Sequence, residues 1–77
     1  MEIHFFGQLA ELTGQETLTL TPDQAADTAA LLAHLYAIYP LLQAKTFKLA
    51  VNETLVQDTQ PLQNGDRVAL LPPFSGG

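Results

Sequence analysis

Seventy-seven residues, 47% hydrophobic and 14% charged, suffice for one hydrophobic core and leave no room for a second. Eight acidic against three basic side chains, a net charge of −5, argue against nucleic-acid binding and favour a partner with a basic docking surface. The absence of cysteine excludes disulfides, thiolate metal ligands and a cysteine nucleophile, and such a chain fits the reducing cytoplasm. Met1–Phe6 lacks the basic start and cleavage site of a signal peptide. No apolar run reaches the ~20 residues of a membrane span, so no membrane association is expected. The nearest approach, Ala29–Tyr39, is interrupted by His34 and ended by Pro40.

Glu2–Phe6 reads as a first strand, with Ile3 and Phe5 on one face and His4 and Phe6 on the other. Gly7–Gly14 reads as a connection carrying Leu9 and Leu12. Glu16–Leu20 alternates cleanly and forms a second strand, a hairpin partner of the first. Thr21-Pro22-Asp23-Gln24 has capping-box spacing with proline at the first helical position, while Asp27 or Thr28 can cap a later start. The main helix is expected from about Thr28 to Tyr39, with Leu31, Leu35, Ile38 and Leu42 toward the sheet and alanine dominating the outer face. Phe47–Val51 is a third strand, Asn52-Glu53 a tight turn, Leu55-Val56 a short fourth strand and Arg67–Leu71 the last strand, stopped by Pro72-Pro73. The order β-β-α-β-β-β predicts an α+β domain over residues 1–71, one main helix packed across a mixed sheet of four to five strands. If the crossover makes the first and last strands parallel neighbours, the arrangement is the β-grasp.

The usual catalytic constellations are missing. His4 and His34 lie far apart and have no metal-ligand partners nearby in sequence. No glycine-rich phosphate loop occurs, and Ser75 has no neighbouring base. What remains is residues 72–77, Pro72-Pro73-Phe74-Ser75-Gly76-Gly77, read as a flexible tail. A stiff diproline projects it from the domain, and two residues without Cβ atoms make a strip thin enough for a narrow active site. A terminal carboxylate is ionised at neutral pH and is a poor acyl electrophile. Activated as an acyl-adenylate by a second enzyme using ATP, it can accept sulfur and become a thiocarboxylate, for which no cysteine is required.

Three stretches carry a resemblance: Phe5-Phe6-Gly7-Gln8-Leu9-Ala10-Glu11-Leu12, Ala50-Val51-Asn52-Glu53-Thr54-Leu55-Val56, and Asn64-Gly65-Asp66-Arg67-Val68-Ala69-Leu70-Leu71-Pro72-Pro73-Phe74-Ser75-Gly76-Gly77. In order and at full length they resemble the small, sulfur-carrying subunits of molybdopterin synthase. Ala10 stands where many members of that family carry arginine. The resemblance implies a ubiquitin-like β-grasp fold. It implies activation of Gly77 by a ubiquitin-activating-like adenylyltransferase, and insertion of the thiocarboxylated Gly77, followed by Gly76, into a large catalytic subunit. Sulfur would pass there to a cyclic pyranopterin, in a heterotetramer of two small and two large subunits. The chain itself would be a non-catalytic sulfur donor, binding no cofactor or metal. Strand parity turns Phe6 and Leu71 away from the helix, with Leu55 on the neighbouring short strand. The expected partner contacts are Phe6, Leu55 and Leu71 on the sheet and Pro73, Phe74 and Ser75 in the tail. Rival readings are a sulfur carrier for thiazole, cysteine or tRNA thiolation, a ubiquitin-like protein modifier, and a binding domain with an accidental Gly-Gly end.

Overall fold

Alternation at period two makes Glu2–Phe5 the first strand, β1, with Ile3 and Phe5 buried, Glu2 exposed and His4 half-buried. The computed structural model describes residues 1–73. Gly7, at φ 58° and ψ −132°, breaks the strand in a conformation open mainly to glycine. The next residues form a short helix, α1 (Gln8–Thr13), which buries Leu9 and is closed by Gly14 in the left-handed region (φ 75°). The sequence reading had a plain connection here. Good helix formers between two glycines give one and a half turns, too few for a periodicity to register.

After β2 (Thr17–Thr19), Thr21–Gln24 closes a turn of its own, with the Gln24 side chain accepting from Thr21 N–H at 2.9 Å. The main helix, α2 (Thr28–Ile38), begins later, where Asp27 Oδ1 accepts from Ala30 N–H at 2.7 Å. Of the two starts open in the sequence, the later one forms. The loop before β5 is tied to this helix start: Thr28 N–H donates to Gln60 C=O (3.0 Å), Gln60 N–H to Thr28 Oγ1 (3.1 Å) and Leu62 N–H to Ala26 C=O (2.9 Å). Thr28 is thereby buried with its hydroxyl satisfied.

Leu31 and Leu35 are fully buried beneath α2. Ile38 departs from expectation, for it is 46% exposed. Tyr39, four residues beyond Leu35, takes the place facing the sheet and meets the Phe5 ring edge-on at 5.9 Å. Pro40 then forces Tyr39 out of helical geometry (φ −125°, ψ 78°), and a 3₁₀ turn (Pro40–Ala44) delivers Leu42 into the core.

The remaining strands are β3 (Lys48–Val51), β4 (Thr54–Leu55) and β5 (Arg67–Leu71). Asn52 and Glu53 join β3 to β4 with positive φ at both positions (50° and 71°), the twist that suits a two-residue hairpin. The sheet order is β2-β1-β5-β3-β4. β5 lies at its centre, parallel to β1 (Ile3 beside Val68, Phe5 beside Leu70) and antiparallel to β3 (Leu49 beside Leu70). Parallel first and last strands with a helix across one face are the β-grasp. The buried side chains Ile3, Phe5, Leu49, Val51, Val68 and Leu70 meet Leu31, Leu35 and Leu42 in one core.

Candidate functional site at the tail root and the open sheet face

β5 is held on both sides, so its exit is fixed by two neighbouring strands. Its entry is fixed by a polar cluster. Asn52 donates through Nδ2 to Asp66 Oδ1 (3.0 Å) and accepts at Oδ1 from Arg67 N–H (3.0 Å), while Gln63 N–H donates to Asp66 Oδ2 (2.8 Å). The Asn52 amide first, and the Gln63 N–H second, hold the Asp66 carboxyl below its usual range. At the other end, the Pro72 ring closes over Gly7: a Cβ added there would stand 3.3 Å from Pro72 Cγ. The first tail residue therefore packs on the β1–α1 bend, and Pro73 beyond it is exposed.

The sheet face turned away from α2 adjoins this root. Register places Thr17, His4, Ala69, Ala50 and Leu55 in one row across all five strands. Toward the tail, Leu71 lies opposite Lys48 and next to the end of β1, where Phe6 N–H donates to Leu70 C=O (3.2 Å). The Phe6 ring is 46% exposed and stacks on the His4 imidazole, with centroids 6.4 Å apart and planes 19° off parallel. His4 Nε2 is 3.0 Å from Glu2 Oε1. The face is thus apolar at its centre and tail end, with Glu2, Arg67 and Lys48 around it.

Of the residues expected at the site, Phe6, just past the end of β1, and Leu71, the last residue of the adjacent β5, lie beside Pro72. Leu55, 49% exposed, stands apart on the outer strand, joined to them through Ala50 and Ala69. Sequence reading did not single out those two alanines: strand parity puts Ala69 on the face of Leu71, but the pairing of Ala50 with both Ala69 and Leu55 is a matter of long-range register. Phe74, Ser75, Gly76 and Gly77 lie outside the described residues. Among the described residues no three histidine or acidic side chains gather to hold a metal ion, and no helix is long and apolar enough to cross a membrane. What the described residues show is a strand fixed on both sides that leads into Pro72-Pro73 beside an apolar face.

A family profile matches residues 3–77 of this architecture, that of the ThiS family. The chain belongs to the ThiS family. Within it, a relative from Chlamydomonas reinhardtii, a molybdopterin synthase sulfur carrier subunit, is 36% identical over 81 aligned positions, spanning 100% of this chain and 98% of its own. Among solved structures, SAMP1 of Haloferax volcanii superposes with a TM-score of 0.79 at 27% identity, over 99% of this chain and 97% of its own. The Helicobacter pylori complex of subunits 1 and 2 of molybdopterin-converting factor contains a chain with a TM-score of 0.72 at 30% identity, covering 99% and 96%. The β-grasp architecture is common to this ThiS-family chain and these neighbours.

Proposed function

We propose that this chain is the sulfur-carrying subunit of a molybdopterin synthase, working in the cytoplasm, with residues 1–71 as the body and 72–77 as the tail. The observation that carries the reading is the full-length kinship with a molybdopterin synthase sulfur carrier subunit, joined to a central strand that runs into Pro72-Pro73 beside an apolar face. Gly77 is the reacting group. Its carboxylate attacks ATP on an adenylyltransferase, giving an acyl-adenylate and releasing pyrophosphate. A sulfide equivalent then displaces AMP and leaves a thiocarboxylate. With Gly76 behind it, the thiocarboxylate enters the large subunit, gives its sulfur to the pterin and returns, with water, to a carboxylate. Phe6, Leu55 and Leu71 meet the large subunit on the sheet, and Pro73, Phe74 and Ser75 line the way in. The H. pylori complex of two subunits supports such a partner; two small and two large subunits make the working assembly.

Intact mass measured after incubation with ATP, a sulfur source and the adenylyltransferase, beside a Gly77-deleted control, tests the chemistry. A gain equal to replacing one oxygen by sulfur, absent from the control, supports the reading. No gain with an activating enzyme proven on another carrier overturns it. The likeness to a small archaeal modifier protein favours one second reading, attachment of Gly77 to lysines of target proteins. Higher-mass conjugates on a blot of tagged chain would establish that reading instead.

A further inference from the structure

The edge of the sheet farthest from β2 is only partly covered. β4 is two residues long and pairs with Ala50 and Val51 alone; the last bond on that side runs from Val56 N–H to Leu49 C=O (2.8 Å). On the opposite side, Asn52 N–H donates to Arg67 C=O, and in the same phase Ala50 and Lys48 face Ala69 and Leu71 of β5. Leu49, between Ala50 and Lys48, directs its backbone groups away from β5, toward the outer edge, and Phe47, one residue before β3, falls in the same phase. Past Leu49 C=O, no strand pairs with that edge among the described residues. An uncovered strand edge is a template for another chain.

This edge opens onto a groove of about 660 Å³ between α2 and the segments 45–49 and 55–59. Leu32 and Tyr36 of α2 form one wall and Phe47 and Val56 the other, all half-buried and packed on the core. Its charged lining is Lys45 and Lys48, two of only three basic residues in a chain of net charge −5, on the side of residues 45–49, and one carboxylate, Asp58, on the side of residues 55–59. Lys48 shares the strand phase of Ala50, whereas Phe47 and Leu49 share the phase of the core. A strand laid along this edge would alternate in the same way, one side chain toward Leu32 and Tyr36, the next toward Lys48.

We propose that this groove binds an extended segment of a partner protein in which acidic and apolar residues alternate, added as a strand against residues 46–49. The apolar side chains seat on Leu32, Tyr36 and Phe47, the carboxylates meet Lys45 and Lys48, and main-chain bonds form to Phe47 and Leu49. The groove shares Leu55 and Lys48 with the margin of the open sheet face, but it is independent of the tail chemistry, whose own test is sulfur loading of Gly77.

The test is a titration of the isotope-labelled full chain, followed by amide shifts and hydrogen exchange, with a synthetic peptide alternating aspartate and valine and a matching one alternating lysine and valine. The acidic peptide should shift Leu32, Tyr36, Phe47 and Leu49 and slow exchange at the Phe47 and Leu49 amides. Salt should weaken it, and the lysine peptide should not bind. Ala29→Glu and Lys45→Glu, both at exposed positions on the groove, should each weaken binding about tenfold through like charge. Ala29 lies in the first turn of α2, where glutamate is favoured by the helix dipole, so folding is retained. Equal binding of the lysine peptide, shifts confined to Phe6 and Leu71, no shift at all, or groove shifts that grow with protein concentration in the absence of peptide would each overturn the proposal, the last by making a second copy the occupant.

Discussion

Phe6 and Leu71 lie side by side next to the tail root, yet they are not equivalent. Phe6 is 46% exposed and rests on His4, whereas Leu71 is half-buried. Phe6→Ser should weaken binding of a molybdopterin synthase large subunit about tenfold or more, while changing the unfolding free energy measured in urea by no more than ~0.5 kcal/mol. Leu71→Ser should weaken binding similarly at a greater cost in folding. A parallel loss of binding and thermal stability in both variants would make these residues structural. Strand parity points to this pair, because Ile3, Phe5, Val68 and Leu70 claim the opposite phase, and the family resemblance points the same way. It could not reveal the Asn52–Asp66 contact, which joins residues fourteen apart through a turn that neither residue announces. Asp66 gives this contact a pH signature. Its folded pKa lies below the ordinary 3.8, so its contribution is present above about pH 4 and is lost as pH falls through the folded value. Urea unfolding of the wild type and Asp66→Asn should differ most near neutrality and converge in acid. A gap that holds constant down the pH series would remove Asp66 ionisation from the account.

At the level of elements, sequence reading succeeded where a pattern ran long enough to repeat. Eleven residues of α2 carry two core leucines and a cap, and its start was legible to within a choice of two. The choice fell to Asp27 because the loop carrying Gln60 and Leu62 bonds to this point of the chain, a long-range tie invisible in local sequence. Asp27→Ala should therefore cost about 1 kcal/mol, within the ~0.5–2 kcal/mol range of lost caps, measured by chemical denaturation. A loss near zero would mean that the Gln60 and Leu62 bonds alone hold the helix start. The six-residue α1 and the 3₁₀ turn after Pro40 were missed for a shared reason: each is shorter than the window over which helical spacing can be told from chance. Ile38 was misplaced because the helix ends beside it, and periodicity assumes that the helix continues.

For the molecule as a whole, fourteen buried apolar side chains form the one core found among the described residues, shared by both α-helices, the 3₁₀ turn and strands β1, β3 and β5. Domains of this size rarely hold more than ~3–5 kcal/mol. Leu35→Ala, at a fully buried position, removes ~2–5 kcal/mol and should leave a chain that melts without a sharp transition in calorimetry. A cooperative melt close to that of the wild type would show that α2 repacks around the cavity. The topology was readable because two strands, a helix and further strands admit few arrangements. The groove beside β3 was not, since it depends on β4 ending after two residues, a matter of strand length rather than residue type.

Among the described residues β5 comes last of the five strands along the chain, yet it is the middle strand of the sheet. Without it, β1–β2 and β3–β4 are two hairpins with no strand pairing between them, each marginal in water. During synthesis, then, the body cannot close until Arg67–Leu71 has left the ribosome, and Pro72-Pro73 follow directly. A chain interrupted before β5 lacks the strand that joins its two hairpins, so quality control can read it as unfolded.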